Sequence, residues 1–293
     1  MTKMLLPNAP TSRVFGPYEE TPGLGAGTVL LFDPALQAGS FSGVPGDNVS
    51  IPNIAAANAA AIVGQSASVL NFTHNIVREN SNTLMIERTA KGGLHGIASQ
   101  VAQTTSSNYA RLQVPFYIRQ YLAGLVPGNV GWPYFCAAIK ITRAQIGSPP
   151  LGMIFVGSNT SVNAYLMRSV NGAIQGAETT GQNSVTKSGV ILSSTAPTAW
   201  TGSKSASFIA ELRYAGADAY QSSAFINKGA SSILYYFKAE NLMLSHRAHF
   251  GAGGTAREEY AAAWALDKTR LINRFAEGGV WYGDTYTAPS ALP

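Results

Sequence analysis

The chain has 293 residues, of which 46% are hydrophobic and only 12% charged, with 20 Lys and Arg against 15 Asp and Glu. That length can bury a full core without metal or disulfide staples, and its share of charge is about half the usual one. The net charge of +5 is spread over scattered bases with no run of three, which argues against a nucleic-acid partner, because phosphate affinity depends on clustered cations. The single cysteine, Cys136, excludes an internal disulfide framework and a cysteine-rich zinc site, and its place in "YFCAAI" is that of a small core residue. A surface so short of charge must be covered by Ser, Thr, Asn, Gln and Gly, or by other subunits.

Residues 1–27 hold Pro7, Pro10, Pro17 and Pro22 with Gly16, Gly23, Gly25 and Gly27, a composition that forbids a regular helix and resists a central strand. We read this segment as an extended arm. Its apolar members Leu5, Leu6, Val14, Phe15 and Tyr18 are candidates for docking onto a partner or onto the body. It lacks the apolar stretch of a secretory signal, and no window of the chain approaches the roughly 18 apolar residues of a membrane span. Synthesis and folding in the cytoplasm are therefore expected, and the N-x-S/T matches at Asn48, Asn71 and Asn159 are expected to carry no glycan.

The body, residues 28–293, opens with "TVLLFDPALQAGS", a short strand ending at Asp33-Pro34. Turn chemistry follows around Pro45-Gly46-Asp47-Asn48, then an alanine-rich stretch predicts a helix from about Asn53 to Val63. "TLMIERT" is the best strand before Ser107. "YARLQVPFYIRQYLAGLVPG" reads as a strand or a short helix. In "PYFCAAIKITR" the alternation places Phe135, Ala137, Ile139 and Ile141 on one face and Lys140 on the other. "LGMIFVGS", "NAYLMRSVNG", "SGVILSST", "ASFIAELRYAG" and "SILYYFKAENLMLSHR" continue the series, and breakers every ten to twenty residues suggest an antiparallel sandwich or jelly roll. Near the end, Thr255 and Glu258 form a capping box. The helix it opens, about 256–276, carries Tyr260, Trp264, Leu271 and Phe275 on one side, and Gly278-Gly279 closes it.

Several patterns invite a chemical reading and fail on context. Gly251, Gly253 and Ala256 fit G-x-G-x-x-A, but no βαβ unit surrounds them, and no helix follows Gly23, Gly25 and Gly27. His246 and His249 lack a third ligand, and His74 and His95 stand apart from them. Asp33, Glu87, Glu211, Asp218 and Glu240 are the acids to inspect for a facing carboxylate pair. No G-x-S-x-G elbow or phosphate-binding loop occurs. No cofactor, metal or catalytic residue is therefore assigned, and the chain is read as a non-enzyme. Tyr235, Tyr236 and Phe237 lie consecutively in a strand, so at least one of them is expected to face away from the core. Trp132, Trp200 and Tyr220 neighbour predicted turns and are candidates for stacking on a sugar or filling a subunit interface.

Spaced islands resemble a family of bacteriophage virion proteins. "LLFDPALQAGSFSGVPGDNVSIPNIA" is similar to that family's N-terminal "sGvPG…vsiPNiA" run, "NYARLQVPFYIRQYL" to its "yaRLgvP…i..Yl" segment, and "FAEGGVWYGDTYTAPSALP" to its "fa.GGrf.gDt.t.P..LP" tail. The resemblance implies a tail, baseplate or capsid-associated structural protein built on a concanavalin-like or jelly-roll sandwich. In laminin-G-like sandwiches a strand, a turn and one late helix resemble "LMLSHRAHFGAGGTAREEYAAAWALDK" here. The tail departs from the pattern by placing Trp281 and Tyr282 where a basic residue is expected, which adds both to the candidate aromatics.

These observations set the expectations. The fold is expected to be mainly β, an antiparallel sandwich with an N-terminal arm and one late helix. The protein is expected to sit in the virion as a homo-oligomer, a trimer being favoured, in contact with other virion proteins. The alternative is a carbohydrate-binding module for host adsorption, with a host surface glycan as partner.

Overall fold

The computed structural model describes residues 23–36, 43–101, 104, 107–125, 132–146, 211–216, 227–245 and 258–293, and the backbone alone at 151–158, 164–170, 173–176, 178–181, 189–195, 208–210, 217 and 256–257. Within these residues fourteen strands form one curled antiparallel sheet, a half-barrel, joined by few helices. In chain order they are β1 (Thr28–Phe32), β2 (Val49–Ile51), β3 (Phe72–Val77), β4 (Leu84–Arg88), β5 (Leu94–Ala98), β6 (Asn108–Gln113) and β7 (Pro133–Arg143). There follow β8 (Leu151–Ser158), β9 (Ala164–Val170), β10 (Ala173–Gly176), β11 (Glu178–Gly181), β12 (Gly189–Thr195), β13 (Phe208–Ala217) and β14 (Ala230–Asn241). The helices are α1 (Ala56–Val63), α2 (Phe116–Gly124), α3 (Leu242–Ser245) and α4 (Ala256–Phe275).

The sheet runs β10-β9-β8-β13-β14-β7-β12-β11, and β14 is its hub. One edge of β14 pairs with β7 from Ser231–Arg143 to Asn241–Pro133. The other edge is shared in turn by β13 at Ala230 and Ser231, β5 at Ser232–Leu234, and β1 at Phe237–Glu240. A strand paired on both sides along its length reads as an unbroken apolar-aromatic run, and every residue of β14 is buried.

The alternation read from β7 holds: Phe135, Ala137, Ile139 and Ile141 join one core, while Tyr134, Cys136 and Ala138 join a second on the opposite face. The expectation for Tyr235, Tyr236 and Phe237 does not hold, since all three are buried. A β-bulge between Leu234 and Tyr236 lets one extra residue into β14, which turns Tyr235 and Tyr236 to the same face. Helix α4 lies over that face, so neither side of β14 is left for solvent.

Sequence boundaries shift where a side chain takes a backbone's role. The helix expected from Asn53 starts at Ala56, because Asn53 is spent as a staple. Its amide donates to the Val29 and Leu70 carbonyls at 2.9 and 3.0 Å, and its oxygen accepts from the Leu31 and Ala55 N–H groups at 2.9 and 3.0 Å. The amide thus satisfies the edge of β1 that β14 does not reach. The "strand or helix" segment is both: β6, then α2, divided at Val114-Pro115 where proline cannot continue the ladder.

Candidate functional site

A network of buried charges lies in a seam between α4 and the second face of β14 and β7. Asp267 is its centre. Its carboxylate accepts from Lys238 Nζ at 2.7 Å, Arg270 Nη2 at 2.8 Å and the Tyr134 hydroxyl at 3.0 Å, with the Cys136 thiol at 3.4 Å. Lys238 also pairs with Glu240 at 2.7 Å, and Arg270 donates to the Tyr236 hydroxyl at 2.5 Å. One turn further along α4, Arg274 forks onto both oxygens of Asp33 and stacks 4.0 Å over the Trp281 ring.

Burial alone would push the Asp267 carboxyl up, but the Lys238 and Arg270 cations outweigh it and hold it below the usual range. Burial would push Lys238 down, and Asp267 with Glu240 instead raise it well above an ordinary lysine. The Cys136 thiol moves the other way: burial, reinforced by Asp267, pushes it well up, so it stays protonated. For Asp33 burial prevails over Arg274, and its carboxyl is raised. The seam therefore holds fixed charges and a protonated thiol, an arrangement that locks a helix onto a sheet.

A second constellation links the sheet to the C-terminal tail. Glu87 Oε1 lies 2.7 Å from His95 Nδ1, and His95 Nε2 lies 2.9 Å from the Thr142 hydroxyl. Glu87 accepts from Thr287 through its N–H at 2.7 Å and its hydroxyl at 2.6 Å. Burial would raise Glu87, yet the bonds from Thr287 and His95 bring it below the usual range, so it is an acceptor and Nδ1 carries the imidazole proton. Burial lowers His95, with Glu87 opposing, which favours the neutral ring and leaves Nε2 to accept from Thr142. Carboxylate, imidazole and hydroxyl thus stand in the order of a nucleophilic triad. The ring of His95 is fully buried, however, with Tyr286 edge-on at 5.1 Å and Lys140 4.6 Å over Tyr286. The chain's own tail fills the approach, and the group works as an anchor for residues 284–293. Asp284 adds to it by accepting from the Tyr235 hydroxyl at 2.6 Å and the Lys91 N–H at 2.7 Å.

The third cluster pairs Glu211 of β13 with Arg111 and Arg213, each at 2.5 Å. Both guanidinium groups lie within about 5 Å of the Tyr109 ring, at 4.8 and 5.3 Å.

The acids singled out in the sequence are accounted for here. Asp33, Glu87, Glu211 and Glu240 each face a cation or an imidazole. Asp218 falls outside the described residues. His74 is buried between the Gly46 carbonyl at 2.8 Å and the Tyr214 hydroxyl at 2.5 Å. Among the described residues no group of three His, Cys, Asp or Glu is placed to hold a metal, and no helix is long and apolar enough to cross a membrane.

Of the aromatics named for a sugar or an interface, Trp132 and Trp281 are 8% and 2% exposed and are core residues. The burial of Trp281 has a physical cause. Trp281 follows the α4 C-terminus and is drawn back onto it by its N–H to the Arg274 carbonyl, closing against Tyr235 and Phe275. Its neighbour Tyr282 is 50% exposed. Trp200, Tyr220, Leu5, Leu6, Val14, Phe15, Tyr18, His246, His249, Gly251, Gly253 and Thr255 lie outside the described residues.

Sequence reasoning missed Lys238, Asp267, Arg270 and Arg274. A signal was present: Asp267, Arg270 and Arg274 repeat at i, i+3 and i+7, on the flank of the stripe that holds Trp264 and Leu271. Compared with known proteins, the chain matches no family model, no curated protein and no solved structure.

Proposed function

We propose that the chain is a non-enzymatic structural component of a bacteriophage virion, associated with its tail, baseplate or capsid. On this reading it assembles with copies of itself, with three-fold symmetry, and with other virion proteins. The half-barrel is then one part of a sandwich of the jelly-roll or concanavalin kind.

One observation carries the reading: part of this chain's scarce charge is buried in ion pairs, while several large apolar side chains are left outside. Asp33, Glu211, Glu240 and Asp267 are buried with their cations. Meanwhile Val101, Val44, Ile146 and Phe116 are 66, 53, 50 and 50% exposed. They are grouped. Val101 and Ile146 flank the bond from the Gln100 amide to the Ala144 carbonyl, and Phe116 packs edge-on against the exposed Tyr117 at 5.5 Å. Exposed apolar groups are removed from water when subunits meet. The resemblance to virion proteins supplies the setting.

Negative-stain electron microscopy of the purified full-length chain tests this. Particles with rotational symmetry, three-fold expected, support assembly; a field of isolated single chains at all concentrations contradicts it. For the alternative, glycan capture, Tyr282 is the one named aromatic exposed among the described residues.

A further inference from the structure

Lys238 and Glu240 stand two residues apart on β14, so the period of a strand puts both side chains on the face that α4 covers. Asp267 meets them from the helix, and Lys238 Nζ lies 2.7 Å from a carboxylate oxygen of each acid. The side chains of Lys238, Glu240 and Asp267 are only 5, 1 and 4% exposed. Tyr134, Cys136, Tyr236, Trp264 and Leu271 belong to the apolar cluster on this face. The chain before β1 closes the Glu240 end with bare backbone, because a side chain at Gly25 would run into the Glu240 carboxylate. An amine, a carboxyl group and a second carboxylate touching the amine are thus held together out of water.

Reacting groups fixed at contact gain an effective concentration of about 10⁵ M or more, enough to replace chemical activation of the acid. Two neighbours prepare Asp267 for attack by the amine. Arg270 Nη2 lies 2.8 Å from Oδ1, where negative charge gathers as the carboxyl carbon becomes tetrahedral. The Tyr134 hydroxyl donates to Oδ2 at 3.0 Å, and Lys238 meets the same oxygen, so Oδ2 is the one placed to depart. Lys238 and Asp267 rest as ions, as their neighbours dictate. Condensation runs through the neutral pair, reached when one proton crosses the 2.7 Å from Nζ to Oδ2. Burial disfavours both charged forms and eases that transfer, while the resting ion pair makes the reaction slow.

We propose that Lys238 and Asp267 condense to an isopeptide bond that joins β14 to α4 covalently, with Glu240 as the acid–base group. The Nζ lone pair attacks Cγ of the protonated Asp267 carboxyl, and the C=O π pair moves onto Oδ1 beside Arg270. Glu240 accepts one proton from the attacking nitrogen and delivers it to the Oδ2 hydroxyl. The Cγ–Oδ2 bond then breaks, its electron pair leaves with the oxygen as water, and the carbonyl reforms on Oδ1. The product is an amide and one water, and no co-reactant enters. A dry site also keeps water from reversing the step. Each chain reacts once, on itself, so the inference is independent of the assembly reading, which rests on other surfaces.

Mass spectrometry of the full-length chain, folded and then denatured, reads the bond directly. The wild-type protein, fresh or after ageing, is expected to be lighter than its sequence by one water. Trypsin does not cut after an acylated lysine, so digestion should release residues 229–247 joined to residues 258–268 as one branched peptide. Lys238→Arg should restore the full mass. Glu240→Gln, which keeps the size of the side chain, should slow the loss of water at least about a hundredfold. Full mass in both fresh and aged wild-type protein would overturn the proposal, whether or not either variant folds. So would a lost water that persists in Lys238→Arg or maps to an unbranched peptide, the sign of an aspartyl cyclic imide. An unchanged rate in folded Glu240→Gln would overturn the role given to Glu240.

Discussion

On one face of β14, Leu234, Phe237 and Ala239 pack into a core with Phe135, Ile139, Leu112 and Tyr214. On the other, Lys238 and the Tyr236 hydroxyl meet Asp267 and Arg270 of α4, Glu240 pairs with Lys238, and the Tyr235 ring packs on Phe275. The two faces are equally dry and are stabilised in different ways. The apolar face gains from area removed from water, about 1.5–3 kcal/mol for each large side chain, and tolerates a change of shape. The charged face gains little over an apolar packing of the same volume, but it is intolerant of losing one member, because the survivor is left buried and unpaired. What it contributes is position. Asp267 has partners on β7, β14 and α4 at once, so the helix has one register on the sheet.

Breaking one member of the seam should therefore cost most. Asp267→Ala leaves Lys238 with Glu240 alone and takes the carboxylate from Arg270 and Tyr134, and is expected to lower unfolding stability by about 3 kcal/mol, read by urea titration. Leu234→Ala on the apolar face should cost about 2–4 kcal/mol through the cavity it leaves. Acidification separates the regions further. Burial holds His74 and His95 below the ordinary histidine value of 6.5, so the unfolded chain binds more protons there. Stability should fall as pH drops below about 6.5, and a His95→Gln variant should show a shallower fall in a pH series of melting temperatures. Glu87 and Asp267 are held below their ordinary values of 4.5 and 3.8, so their stabilisation is present above those values and lost as pH falls through the lower folded ones. The smallest effect on stability belongs to the outward side of α4. Leu266→Glu should change it by less than about 0.5 kcal/mol in the same titration.

The β-rich body was legible because period-two runs such as "PYFCAAIKITR" carry their own evidence. The late helix was legible for a similar reason, with Tyr260, Trp264, Leu271 and Phe275 at helical spacing. The pairing of β14 with β1, β5 and β13 along one edge was not, since non-local partners leave no local pattern. The bulge at Tyr235 was hidden because one inserted residue flips facing without altering composition. Trp281 looked like a loop aromatic because its neighbours are glycines, and only the return of the chain onto Arg274 makes it core. The seam was missed because charged residues on a helix are ordinarily assigned to solvent. In this chain Asp267, Arg270 and Arg274 are turned inward.

The central claim is assembly through exposed uncharged side chains such as Val101, Ile146 and Phe116, and the mass of the full-length protein in solution tests it most directly. Sedimentation equilibrium should be run at about 0.1 mM chain, in low salt and again in about 1 M salt, where the screening length is only about 3 Å. Association through uncharged surfaces predicts a defined multiple of the monomer mass, three chains expected, that persists at high salt. A monomer under both conditions would contradict it, and so would an oligomer that salt dissolves.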